Sequence, residues 1–161
     1  MGQKLTTMKI KGSTIITDSK WAGNILKELL SMENVSLDGK TFLGHFGQVF
    51  YKDIWFWISM WDADRTVEFD YFYEASPALR ASFKNLLAGK RLTQELNVNS
   101  PLKWNVSKNN FTHELRFGVH HKFSNKSVPD IIKELMGFLN YVESQKPHFE
   151  KFALERRNNH A

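Results

Sequence analysis

Twelve of the 22 aromatic residues fall between Phe42 and Tyr73, a stretch of 32 residues in a chain of 161. Turn signals at Lys52-Asp53 and Asp62-Ala63-Asp64 divide this stretch into three runs, about 42–50, 54–61 and 65–74. Each is too short for a typical helix and rich in the residues that suit a pleated surface, so three antiparallel strands joined by hairpins are expected. In the middle run Ile54, Phe56, Ile58 and Met60 point one way and Trp55, Trp57 and Trp61 the other, because side chains alternate across a strand. A strand apolar on both sides is expected to be central, covered on each face by helices or by a partner chain, with Trp55 and Trp57 shielded from water. Gly44 and Gly47 in the first strand signal a bulge or a close backbone approach.

The flanking segments read as helices and two further strands. Asp18 is placed to cap a first helix in which Trp21, Ile25, Leu29 and Met32 recur at helical spacing, and Asp38-Gly39 marks the turn that follows. Ser76-Pro77 opens a second helix with Leu79, Phe83, Leu86 and Leu87 inside and Gly89 near its end. After a loop at 97–101, residues 102–106 and 111–123 form two strands around Ser107-Lys108-Asn109-Asn110. A register with His113, Leu115, Phe117, Val119 and Phe123 inside leaves Thr112, Glu114, Arg116, His120 and Lys122 on the opposite face. Val128-Pro129-Asp130 begins the last helix, whose stripe of Ile131, Ile132, Leu135, Leu139 and Val142 ends where Pro147 breaks or kinks it, with Phe149 and Phe152 docking back. The class is α+β. The expected architecture is a single domain over residues 1–161 with flexible ends at about 1–12 and 155–161. Its mostly antiparallel five-stranded sheet packs against an N-terminal helix, a middle helix and a long C-terminal helix.

Charge is unevenly distributed. Residues 42–76 carry 2 Lys/Arg against 6 Asp/Glu, whereas residues 80–126 hold 9 basic groups against only Glu95 and Glu114. A basic sector draws polyanions, and a face formed by Lys84, Lys90, Arg91, Lys103, Lys108, Arg116, His120 and Lys122 is the candidate nucleic-acid-binding set. Cations interleave with aromatics there, but neighbours along a strand face opposite ways, so the cations alone reach a ligand and the mode is one of backbone contact without base reading. A solvated basic face that balances the acidic stretch is the structural alternative.

Zero cysteines exclude disulfides, thiolate zinc sites and thiol nucleophiles. The acidic group Asp62, Asp64, Glu68, Asp70 and Glu74 is the candidate for a hard-cation site in a metal nuclease. However, Asp62 and Asp64 suit a hairpin turn and the others fall on alternate, solvent-facing strand positions, so no metal site is assigned. The six histidines show no metal-ligand spacing, and adjacent His120 and His121 point to opposite faces. Nucleophile-elbow, P-loop and dinucleotide-binding motifs are absent, and no cofactor or catalytic residue is assigned. Residues 1–12 contain no apolar signal region and no run approaches a spanning length, so a cytoplasmic protein without membrane association is expected.

From Phe83 onward the chain resembles an uncharacterised prokaryotic domain found alone or after nuclease-like modules in restriction-type proteins. The shared features are a helix with Phe83, Leu86, Lys90 and Glu95, then Leu102-x-Trp104, a basic-to-apolar strand, and a closing helix ending in Phe149 and Phe152. That resemblance covers about the last half of the chain and implies a context of bacterial or phage defence and counter-defence, with no catalytic signature. The leading expectation is a non-enzymatic nucleic-acid-associated module. The alternative is a protein-interaction or inhibitor module whose partner meets Trp55, Trp57, Trp61, Glu68 and Asp70.

Overall fold

The computed structural model describes residues 5–37, 41–73 and 85–159. The class is α+β, and the described residues form three helices and two sheets. One is a mostly antiparallel sheet of six strands in the order β3 (Val35–Leu37), β5 (Phe46–Tyr51), β6 (Ile54–Trp61), β7 (Thr66–Tyr73), β9 (Leu115–Ser124), β8 (Trp104–Lys108). The other has three in the order β1 (Thr6–Ile10), β2 (Ser13–Thr17), β4 (Thr41–Leu43), antiparallel between β1 and β2 and parallel between β2 and β4. The expected five-stranded sheet is therefore one strand short, and the small second sheet was not foreseen. Its strands β1 (Thr6–Ile10) and β2 (Ser13–Thr17), and β3 (Val35–Leu37) in the larger sheet, are three to five residues long. So few residues hold too little alternation to register as a pattern. Strand β1 lies within the segment read as a flexible end. The chain divides into two compact units, residues 1–70 with 121–139 and residues 71–120 with 140–161, and β7, β9 and the last helix contribute residues to both.

In the first unit, β1 and β2 form a hairpin whose two turn residues, Lys11 and Gly12, both take positive φ, as a tight turn matched to strand twist requires. Helix α1 (Lys20–Ser31) is capped by Ser19, one residue after the expected Asp18, because the Ser19 hydroxyl accepts from the Ala22 amide at 3.0 Å. Its buried stripe includes Ala22, Ile25, Leu26, Leu29 and Leu30, and Gly23 meets Met8 and Thr17 of the hairpin. The Lys11 ammonium donates to the carbonyls of Met32 and Val35 beyond the helix end.

The aromatic stretch forms β4 (Thr41–Leu43), β5 (Phe46–Tyr51), β6 (Ile54–Trp61) and β7 (Thr66–Tyr73). What reads as one strand over 42–50 is two, separated by Gly44 at φ +83, whose amide donates to the Ile16 carbonyl, and β4 pairs in parallel with β2. The glycine signals correspond to real constraints: a Cβ on Gly47 would collide with the Phe42 ring. Strand β6 begins and ends where the sequence places it, antiparallel to β5 and β7. Its Ile54, Phe56, Ile58 and Met60 are buried, and Phe69 packs edge-on to Phe56 and against Phe123 and Phe138.

The second unit contains α2 (Leu86–Asn97), β8 (Trp104–Lys108), most of β9 (Leu115–Ser124) and the C-terminal part of α3 (Val128–Asn159). The proposed helix start at Ser76-Pro77, with Leu79 and Phe83, lies outside the described residues. Asn85 is extended and accepts from the Ala88 amide, so α2 begins at Leu86; Leu87 is exposed, and Gly89 lies early in the helix, where it approaches Leu115, Val106 and Phe117. Strand β9 starts at Leu115, and His113, expected inside, is exposed in the β8–β9 loop at φ +60. Thr112 and Glu114 belong to the same loop. Asn109 holds it: its side chain accepts from the amides of Phe111 and Thr112, and Phe111 stands 93% exposed.

Pro147 lies inside α3 and does not end it. An internal proline forfeits one helix hydrogen bond and costs ~3 kcal/mol. Burial of Val142, Phe149 and Ala153 on the surrounding turns offsets this. Phe149 contacts Tyr73, Trp104 and Phe117, and Trp104 donates its indole N–H to the Tyr141 hydroxyl at 2.9 Å. Asn97 donates to the Trp104 carbonyl and accepts from the Trp104 amide.

Gly47→Ala is expected to destabilise the protein by about 1–3 kcal/mol, since the new methyl group must displace a buried ring. Phe111→Ser is expected to change stability by less than about 0.5 kcal/mol, because the ring is almost wholly in water. Urea unfolding of both variants checks the pair.

Candidate functional site

The tryptophan face of β6 is open, against the expectation that both faces are covered. Trp55 is 51% exposed, Trp61 39% and Trp57 half-buried, whereas the opposite face of the same strand is sealed. Register assigns the neighbours on this face within the first unit. On β5, Phe46 stands beside Ser59, Gln48 beside Trp57 and Phe50 beside Trp55; on β7, Thr66 stands beside Trp61, Glu68 beside Ser59 and Asp70 beside Trp57. Phe46 stacks on Trp57 with centroids 4.8 Å apart, and Phe50 meets Trp55 edge-on at 4.4 Å, yet Phe46 remains 51% exposed. The result is an aromatic surface bordered by carboxylates. A monomeric protein seldom leaves a contiguous patch of this kind uncovered.

Sequence reasoning therefore names Trp55, Trp57, Trp61, Glu68 and Asp70 together, and the structure brings them together. Phe46 and Phe50 were not assigned to the face, although their alternation with Val49 was available as a signal. Two of the other acidic candidates lie apart from it, Asp62, which pairs with Arg65 at 3.2 Å in the β6–β7 loop, and Asp64 in the same loop; Glu74 lies outside the described residues. Among the described residues, no three His, Cys, Asp or Glu side chains lie together as a metal site would need.

The basic candidates do not form one surface within the second unit. Arg116 stands beside Ser107 and His120 lies on the same side of β9, both exposed, whereas Lys108 stands beside buried Leu115 on the other side of the hairpin. Lys103 donates to the carbonyls of Asn97 and Ser100, which fixes it at the end of α2. Lys90 and Arg91 are exposed on α2, the helix that packs through Gly89 against Leu115 and Val106. Lys84 lies outside the described residues. The Arg116 guanidinium sits 3.7 Å over the Phe72 ring, and in the first unit Lys122 sits 5.4 Å over Trp61. These two cations are thus engaged with rings.

In the second unit a cleft of about 760 Å³ runs between α2, the loop at 98–101 and α3, with Leu96, Pro101 and Phe152 among its walls and Glu95, His148 and Lys151 around it. Elsewhere in the same unit, burial raises the Tyr73 hydroxyl pKa, with the charge of Glu150 adding to the effect. In the first unit His121 binds Glu134 at 2.7 Å and Lys126 binds the same carboxylate at 3.0 Å. Hydrogen bonds from His121 and then Lys126 hold Glu134 below the usual carboxylate range.

No family model and no curated protein matches the chain. Among solved structures it is similar to one titled "Crystal structure of YbjN, a putative transcription regulator from E. coli". The identity is 15%, the TM-score is 0.44, and the match covers 85% of this chain and 92% of the other. That likeness is too low to carry fold or function across. Among the described residues no helix is long and apolar enough to cross a membrane.

Two measurements follow from this geometry. Trp55→Phe should remove more iodide-quenchable fluorescence than Trp104→Phe, because Trp104 is 2% exposed. Because the folded-state pKa of Glu134 is depressed, its contribution to stability is full above the unfolded value of about 4.3 and is lost as pH falls through the lower folded value. Glu134→Gln should therefore lower the Tm slightly at neutral pH, and the gap from wild type should close in thermal melts as the pH falls below the usual carboxylate range.

Proposed function

We propose that the protein is an interaction module that binds a protein partner through the exposed aromatic face of β5, β6 and β7 in its first unit. The observation that carries this reading is the exposure of Trp55, Trp61 and Phe46 on a regular, hydrogen-bonded sheet whose other side is core. Tryptophan supplies large contact area with few rotatable bonds, and a rigid sheet presents it with little entropy left to lose. The flanking Glu68 and Asp70 form the polar border that such interfaces have.

A second reading, the nucleic-acid-associated module expected from charge, is favoured by one observation: Arg116 and His120 project from the same side of β9 in the second unit and are exposed. A role in bacterial or phage defence accompanies that reading and rests on the resemblance of the C-terminal half.

Affinity capture with the tagged chain, before and after nuclease treatment, separates the two. Under the protein-partner reading the captured proteins survive nuclease and are lost with Trp55→Ala combined with Trp61→Ala. Recovery of nucleic acid that is lost with Arg116→Glu favours the second reading, and binding to labelled oligonucleotide should then fall with a log-log salt slope of about −2 to −4. A captured set indifferent to the tryptophan changes overturns the protein-partner reading.

A further inference from the structure

Several rings of the first unit already carry a cation. Lys122 lies over Trp61, Lys52 lies 5.3 Å over Tyr51, and Arg65 lies 5.2 Å over Trp21. Phe46, Phe50, Trp55 and Trp57 have no cation over them among the described residues. Glu68 makes no ion pair among the described residues, although it stands beside Ser59, between the positions of Trp57 and Trp61 on the adjacent strand. Ser59 points to the same face and is buried, so the rings around it stand proud of a recessed floor bordered by the Glu68 carboxylate.

Ring faces carry negative potential, and an adjacent carboxylate reinforces it. Glu68 and Asp70 border this face from β7, and Lys122 lies over Trp61 at one end of it. Ring faces and carboxylates both favour a positively charged ligand and disfavour phosphate. Spacing adds a constraint on its shape. Trp55 and Trp57 are two residues apart along β6, about 6.8 Å, which is also the repeat of same-side side chains in any extended chain.

From this arrangement we propose that the face receives the arginine or lysine side chains of an extended basic segment of a protein partner. Alternate cations lie over Trp55 and Trp57, and one of them pairs with Glu68. The inference rests on the reading of this face as the interaction surface and goes beyond it by specifying the chemistry of what binds.

The test uses the full chain and short peptides with arginine at alternate positions and serine between, alongside counterparts carrying glutamine, glutamate or leucine in place of arginine. Calorimetric titration at low and moderate salt reads the affinities. The arginine peptide should bind about tenfold or more tightly than the glutamine peptide, with an affinity that falls as salt rises. Trp55→Ala should weaken it about tenfold, and Glu68→Gln should weaken it and reduce its salt dependence. Trp55→Phe, which keeps a ring, should recover part of the loss, and circular dichroism confirms that each variant is folded. Arginine and glutamine peptides binding equally, with the leucine peptide bound in a Trp55-dependent manner, overturns the cationic partner and leaves the face as an interaction surface. Binding indifferent to Trp55 overturns both. Oligothymidylate bound more tightly than the arginine peptide, and lost with Trp55→Ala, overturns both in favour of nucleic acid.

Discussion

Burial of one side of β6 is the constraint on which the first unit depends. Ile54, Phe56, Ile58 and Met60 are closed off from water and meet Phe69, Phe123 and Phe138 through an aromatic network centred on Phe69. Each such side chain contributes about 1.5–3 kcal/mol on burial, so the choice of inner face is strongly determined. The choice of outer face follows from hydrogen bonding. A buried tryptophan needs a partner for its indole N–H, and Trp104, the fully buried one, has the Tyr141 hydroxyl. Aliphatic and phenylalanine side chains have no such requirement. The tryptophans of β6 therefore take the side that water can reach, and the strand that builds the core also displays the surface.

The second unit is organised around Trp104 and Phe149. Asn97 fixes the Trp104 backbone from the end of α2, Tyr141 satisfies its ring, and Phe149 packs between Tyr73, Trp104 and Phe117. Phe149 reaches this position only if α3 continues past Pro147. The aromatic contacts and the helical turn through the proline are consequences of one another. Close approach of α2 depends likewise on Gly89, where a Cβ would lie 2.7 Å from Leu115.

Electrostatics modifies these surfaces more than it creates them. Arg116 over Phe72, Lys122 over Trp61 and Lys103 on the carbonyls at the end of α2 are cations used locally, and the basic excess of residues 80–126 therefore overstates the charge free to meet a polyanion. The rings without cations on β5 and β6 border the carboxylates of Glu68 and Asp70, opposite in sign to the chain's net charge of +5.

Long elements with strong periodicity were legible in the residues alone. These include β6 at its observed limits, the start of α3 at Val128, Ile25 and Leu29 on the buried side of α1, and the separation of Trp55, Trp57 and Trp61 from Ile54, Phe56, Ile58 and Met60 across β6, because alternation is a local property of an extended backbone. The place of Glu68 and Asp70 beside the tryptophans follows instead from the pairing register. Short strands β1, β2 and β3 were not legible, since three to five residues hold less pattern than turn chemistry can mimic. Tertiary structure alone decided that Pro147 stays helical, because the energy that offsets it comes from Phe149 and its distant neighbours. It also decided that Lys108 and Arg116 lie on opposite sides of their hairpin, which depends on the pairing register. Above all, it decided that Trp55 and Trp61 stay open to water: sequence shows that a face is apolar, but only the packing of everything else determines whether water reaches it.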